Sequence, residues 1–578
     1  MGTTKYNTEL CDNNMSFDEC ELAILRHAVD ETDELQKQKI ANSDDVKRMI
    51  HILEDFLVRK KLVCYGGTAI NNILPKYAQF YNRDIEVPDY DFFSDNAMED
   101  AKELTDLFFK AGYLETEAKS GVHKGTYKVF VNYIPMADIT QLHPDLYESI
   151  KKEAIMVAGI KYTPPNYLRM SMFLELSRPA GDVSRWEKVL KRLTLLNTYH
   201  PMKSEIDCNS IDFQRRVETV GAEESEKIYF LVRDSFIEQG VVFFGGYASS
   251  LYSKYMDKKR KSIMNKIPDF DVLSEDPNRC ALIIQEKLEE QGFKNVSIVE
   301  HESIDDVIPK HIQITVGKET IAFVFEPVAC HNYNTIQIGS QEINVATIDT
   351  MLSFYLAFIY ANKPYFEKDR ILCMAQFLFE VEQKNRLEQK DLLKRFSIKC
   401  YGKQPTLETM RAEKAEKFKD LASERNGPEW NEWFFKYAPG AKLSDRTLSQ
   451  GAIKLSRESK SEEKINSNSK QSEQSPSVKI HKKIKTKYNR SKKHPVYKLS
   501  ESKSDESSEY EQKPDYEQSS EYEKKPYYKK SPKYKKSESA SYDSESYSIP
   551  VYKPKRTQRI RKARKPKRNT FRRIFGFK

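Results

Sequence analysis

Val46, Ile50, Leu53 and Leu57 recur at helical spacing behind Ser43, and the pattern predicts a capped amphipathic helix. The short apolar run Leu62-Val63-Cys64-Tyr65 then reads as a buried strand, and Gly66-Gly67-Thr68 opens the next helix. The same order returns later: Ile228, Leu231, Val232 and Phe236 form the helical stripe, Val241-Val242-Phe243-Phe244 the strand and Gly245-Gly246-Tyr247 the turn. The two Gly pairs lie 179 residues apart, and the Asp pairs that follow, starting at Asp89 and Asp269, lie 180 apart. One residue of drift over that distance predicts an internal duplication. The fold class is therefore α/β (α+β), with two tandem units at 45–150 and 225–345. A helical linker at 151–224, a second helical region at 346–441 and an N-terminal arm at 1–44 complete the folded part.

Composition changes the picture at the C-terminal end. From 442 to 578 the chain becomes Ser, Lys, Glu, Tyr and Pro in short irregular repeats, with too few aliphatic side chains to offset the entropy of ordering a backbone. This segment is predicted to be a disordered tail. Its last 28 residues hold 13 Lys or Arg and no acid, whereas the whole chain is only +9, so the basic character sits in one place. Eleven tyrosines between Tyr488 and Tyr552 alternate with lysines. That pattern suits loose contact with nucleic acid and suits a solubilising tail equally.

The start of the chain lacks the apolar run of a signal peptide, and Tyr6 stands where a myristoylation motif has Ser or Thr. Met351 to Ala361, the longest apolar run, is about half a bilayer span, so no membrane segment is predicted. The eight cysteines show no paired spacing; they predict neither a zinc site nor a disulfide framework, and they point to a reducing compartment.

In Pro88-Asp89-Tyr90-Asp91-Phe92-Phe93, polar and apolar residues alternate at strand period, which puts Asp89 and Asp91 on one face. Like charges so close repel, and a divalent cation is their natural compensation. A third acid, Asp138, interrupts the apolar strand Ile134-Pro135-Met136-Ala137-Asp138-Ile139. Gly66-Gly67, 23 residues before Asp89, places bare backbone N–H groups at a helix start, where they can cradle phosphate with the Thr68 hydroxyl as an added donor. Ser184-Arg185-Trp186-Glu187 reads as a capping box, after which Arg185, Lys188 and Arg192 share a helical face. Arg169 and Ser171, on the preceding helix, are further candidates for ribose or phosphate contact.

Gly66-Gly67-Thr68, Asp89-Tyr90-Asp91 and Asp138 together resemble the polymerase-beta type nucleotidyltransferase superfamily. The wider match over 45–430, including Pro165-Asn166-Tyr167-Leu168-Arg169-Met170-Ser171 and Glu175-Leu176-Ser177-Arg178-Pro179, resembles the poly(A) polymerase catalytic subunits of giant DNA viruses of Mimivirus type. The resemblance implies template-independent addition of AMP from ATP to the 3′ end of a single-stranded mRNA. It also implies two Mg²⁺ (or Mn²⁺) ions held by Asp89, Asp91 and Asp138, and nucleotide contacts at Gly66, Gly67, Thr68, Arg169, Ser171, Arg185 and Lys188. Host cytoplasm (a viral factory) or the virion is the implied location, and a homodimer or a processivity partner stays open. In the second unit Pro268-Asp269-Phe270-Asp271 recurs, but Ile321-Ala322-Phe323-Val324-Phe325 carries no acid, and Tyr247 replaces Thr68. That unit reads as a degenerate copy, with Glu326 the one acid near the missing ligand. Two alternatives remain: transfer to another acceptor, and a non-catalytic RNA-binding scaffold.

Overall fold

The computed structural model describes residues 8–12, 14–211, 213, 221–264, 269–425 and 427–439. The tail expected at 442–578 lies outside the described residues. The arm is one capped helix, α1 (Phe17–Ala41), in which the Ser16 hydroxyl accepts from the Glu19 N–H and the Glu19 carboxylate accepts from the Ser16 N–H.

The first unit runs α2 (Asp44–Lys60), β1 (Val63–Tyr65), α3 (Gly66–Ile73), β2 (Tyr90–Ser94), α4 (Ala97–Lys110), β3 (Thr116–Ser120), β4 (Thr126–Val131), β5 (Ile134–Gln141) and α5 (Pro144–Lys152). It continues through β6 (Ile155–Val157), β7 (Ile160–Tyr162), α6 (Pro165–Leu176) and α7 (Trp186–Tyr199). The second unit runs α8 (Ala222–Glu238), β8 (Val242–Phe243), α9 (Gly246–Tyr252), α10 (Lys258–Met264), β9 (Phe270–Leu273), α11 (Pro277–Glu290), β10 (Val296–His301), β11 (His311–Val316) and β12 (Glu319–Phe325). The hairpin β13 (His331–Ile338) and β14 (Gln341–Ala346) and the helices α12 (Ile348–Phe358) and α13 (Lys368–Lys384) close it. The described chain ends with β15 (Cys400–Tyr401), α14 (Leu407–Asp420), α15 (Pro428–Phe434) and β16 (Lys436–Tyr437).

Strand order makes the duplication explicit. One sheet is ordered β16-β3-β4-β5-β2-β1-β7-β6 and the other β10-β11-β12-β9-β8-β14-β13-β15, so seven strands correspond one to one and in the same sequence. The repeat is longer than the apolar pattern indicated. The hairpin β6 and β7, expected within a helical linker, belongs to the first sheet because β7 pairs in parallel with β1, as β14 does with β8. The helices α6 and α7 then match α12 and α13. The region 346–441 is likewise not only helical: β15 adds to β13, and β16 adds to β3. Two-residue strands carry too little periodicity to be read in a sequence.

Alternation works as the sequence implies. In β2, Tyr90 and Phe92 are fully buried, and Ala137 and Ile139 of β5 bury beside them. Every residue of α12 is buried, which explains the apolar run without a membrane, and α12 packs on α6 to join the two units. No described helix is long and apolar enough to cross a membrane.

The reading of the cysteines needs correction. Six of the eight form disulfides, Cys11–Cys20, Cys208–Cys373 and Cys330–Cys400, and only Cys64 and Cys280 are free. The second and third pairs span 165 and 70 residues of sequence, so tertiary folding alone brings them together. Closing the Cys208–Cys373 loop constrains the unfolded chain by about 5 kcal/mol. Without reductant, Cys208→Ser should therefore melt several degrees below the wild type. In dithiothreitol the two melting curves should coincide.

Candidate active site

The site is built on the pairing of two parallel strands. β2 and β5 run side by side in a register that sets Asp91 directly opposite Asp138, with Phe92 opposite Ile139 beneath them. Asp89 stands one residue before β2, and β2 and β5 are the two central strands of the sheet, so the three acids belong to two neighbouring segments at its middle. On the other side of β2, Tyr65 at the end of β1 is the register partner of Asp91. The chain then turns at Gly66 with φ +70°, a conformation that glycine adopts without strain, and a Cβ there would lie 2.5 Å from Asp91 Oδ2. The glycine turn is thus pressed directly against the acids.

This crowding has an electrostatic cost. Burial, followed by the neighbouring charges of Asp138 and Asp89, pushes Asp91 up from 3.8 to about 7, while Lys128 and Arg185 pull it back. Lys128 lies on β4 opposite Asp138 and forms an ion pair with it. Arg185 is held by Glu175 of α6, at 3.1 Å between Nε and Oε1.

Thr68 does something other than expected. Its hydroxyl is 2% exposed and donates to the Asp89 carbonyl at 2.5 Å, so it fixes the approach to β2 and has no proton to offer a phosphate. Arg169 is 1% exposed and donates to Asn197 and Asn166, each at 2.7 Å. It ties α6 to α7 and does not face a nucleotide. Desolvation pulls its guanidinium down to about 10. Ser171 is exposed, and its hydroxyl donates to the Leu168 carbonyl within its own helix. Ser184 caps no helix: it lies in a short turn and donates to Asp182, and Arg185 is the residue at the N-cap of α7.

Tyr81 and Arg192 emerge from the structure. Asn71 accepts from the Phe80 and Tyr81 N–H groups at 2.8 and 2.9 Å, and this pins the loop that carries both rings. Arg192 of α7 donates to the Tyr81 hydroxyl at 2.7 Å and lies over the Phe80 and Tyr81 rings. A Cβ at Gly67 would sit 2.4 Å from that hydroxyl and 3.1 Å from Arg192 Nη1, so a fixed cation stands at the glycine turn. The helical stripe signalled Arg192, whereas nothing in the local sequence signalled Tyr81.

The second unit is an internal control. Asp271 on β9 has Phe323 as its partner on β12, at the place where Asp91 has Asp138. Glu326, exposed and beyond the strand, does not replace it. Arg370 of α13, 8% exposed, pairs with Asp269 at 3.2 Å and closes the cleft from within. Arg370 is the third residue of α13, as Lys188 is of α7.

Among the described residues, no group of three or more His, Cys, Asp or Glu is arranged as a ready metal cage. The donor chemistry nonetheless fits a divalent cation: Asp91 and Asp138 are hard oxygen ligands on neighbouring strands, and Asp91 feels the charges of both Asp138 and Asp89.

Comparison with known proteins fits this geometry. Residues 51–182 match the family model for the poly(A) polymerase catalytic subunit. That span contains all three acids. The chain is 28% identical over 174 residues to a protein of African swine fever virus (isolate Tick/Malawi/Lil 20-1/1983) described as a poly(A) polymerase catalytic subunit, covering 29% of this chain and 36% of that relative. Its counterpart in Acanthamoeba polyphaga mimivirus is 27% identical over 241 residues, covering 38% and 39%. The chain thus spans well under half the length of these relatives. In fold it is similar to the Megavirus polyadenylate synthase, with a TM-score of 0.63 at 19% identity, covering 78% of this chain and 92% of that one.

The Asp91 environment makes a signed prediction. Because its folded value, about 7, lies above 3.8, the charge on Asp91 costs stability as pH rises through that window, and the whole cost is present above pH 7. Without divalent ions, Asp91→Asn should therefore raise Tm by a few degrees at pH 8. At pH 4 it should leave Tm unchanged, as differential scanning calorimetry can check.

Proposed function

We propose that this chain is a template-independent poly(A) polymerase that transfers AMP from ATP to the 3′ end of single-stranded RNA. The observation that carries the reading is the apposition of Asp91 and Asp138 on neighbouring strands, against a glycine turn that opens a helix. Similarity to viral poly(A) polymerase catalytic subunits over 51–182 supports the choice of nucleotide and acceptor. Asp89, Asp91 and Asp138 would hold the divalent cations, Mg²⁺ or Mn²⁺, which when bound lower the pKa of the attacking hydroxyl and neutralise charge on the phosphates.

The chain's own residues perform the rest. Backbone N–H groups at Gly66 and Gly67, at the N-terminus of α3, receive phosphate oxygens. Arg192, already ordered by Tyr81 and two aromatic rings, binds phosphate with little loss of side-chain entropy. Arg185, clamped by Glu175, holds positive charge near Asp91. Lys188 completes the basic face of α7. Thr68 fixes Asp89 through its carbonyl.

Incubating the purified chain with labelled RNA and each NTP in turn tests the proposal, and a lengthening ladder with ATP is the expected result. Asp89→Ala and Asp138→Ala should abolish extension while leaving circular dichroism unchanged; normal extension by either variant removes the assignment. Label transferred to a small molecule or a protein and not to RNA would point to another acceptor. Arg192→Ala should raise KM for ATP about tenfold, the effect of losing one charge-assisted contact, with a smaller change in kcat.

A further inference from the structure

We propose that Lys128 is a resident counter-cation of the acidic trio: it occupies Asp138 in the free protein and must release it before a divalent cation can bind. The inference rests on the reading of Asp89, Asp91 and Asp138 as the cation ligands.

Three observations carry it. Lys128 and Asp138 are direct cross-strand partners on β4 and β5, and the ammonium is paired to Asp138 Oδ2. The carboxylate needed for a cation is thus already in use. Second, the pair can open: the two side chains are 38% and 27% exposed, and the ammonium sits on a flexible four-carbon stem. A pair held in contact with solvent is weakly bound compared with a sealed one, such as Arg370 with Asp269 at 10% and 14%.

The third observation is the duplication itself. On β11 and β12, the positions that correspond to Lys128 and Asp138 are Gln313 and Phe323, which are partners in the same register. Where the acid is absent, the lysine is absent too. Gln313 there carries no charge: its amide oxygen accepts from the His301 ring and its amide nitrogen donates to the Thr320 hydroxyl. A lysine needed only to complete the sheet surface would have no reason to depart with the acid. The charge at 128 is therefore coupled to the charge at 138.

Physically, three carboxylates without a cation repel one another, and a lysine beside them relieves that repulsion until a divalent ion arrives. The consequence is competition: the ion must displace the ammonium from Asp138, and Lys128 lowers the apparent affinity for metal. The sign distinguishes this from ordinary support, in which loss of the lysine would weaken the site.

The test is a Mn²⁺ titration of the full chain followed by electron paramagnetic resonance, which reports free Mn²⁺ without turnover. Lys128→Gln should bind Mn²⁺ about three- to tenfold more tightly than the wild type, the range expected for removing a partly exposed ion pair and a nearby like charge. Lys128→Arg, whose guanidinium holds a carboxylate by two bonds, should bind no more tightly than the wild type. Asp138→Asn should lose the site. A Lys128→Gln curve that superimposes on the wild type or lies at weaker affinity, including both showing no site, overturns the inference. Unchanged binding by Asp138→Asn instead overturns the ligand assignment on which it rests.

Discussion

Concentrated negative charge beside a glycine turn is the constraint around which this protein is arranged. Asp91 and Asp138 face each other on the two central strands, with Asp89 just before them, and the penalty appears in the elevated Asp91. The surrounding cations follow from that penalty. Lys128 pairs with one acid, Arg185 moderates another, and Arg192 stands at the turn itself. The second unit resolves the same conflict differently. It exchanges the third acid for Phe323 and buries a permanent cation, Arg370, over Asp269.

Holding the acids in that place requires a register that cannot slip. A shift of one residue between β2 and β5 would turn Phe92 and Ile139 out of the core and separate Asp91 from Asp138. Tyr90 and Phe92 resist it, each buried side chain being worth about 2 to 3 kcal/mol. Core packing beneath the sheet is therefore what aims the carboxylates above it. Gly66 completes the arrangement, because its close approach to Asp91 leaves no space for a Cβ.

The duplicated unit makes the division of labour visible within one chain. Seven strands, their order and the following helices are shared, so these belong to the fold. The pair of Asp138 and Lys128 is confined to the first unit, with Phe323 and Gln313 in its place in the second. The second unit contributes α12, fully buried and packed on α6, and so is joined to the first through a shared helical core.

The sequence determined the secondary pattern and the acids, since these depend on local periodicity: strand alternation separates Asp91 from Phe92, and a glycine pair marks each turn. The spacing of the two Asp pairs likewise revealed the duplication. What it could not determine was which distant residues meet. Thr68 and Arg169 have the chemistry of phosphate ligands, but burial commits them to Asp89 and to Asn166 and Asn197. Tyr81, Lys128 and the cysteine pairs gained their partners only when strands and helices packed. The physical reason is that a side chain's role depends on the groups desolvated beside it, and that neighbourhood is settled by tertiary contact between segments far apart in the chain.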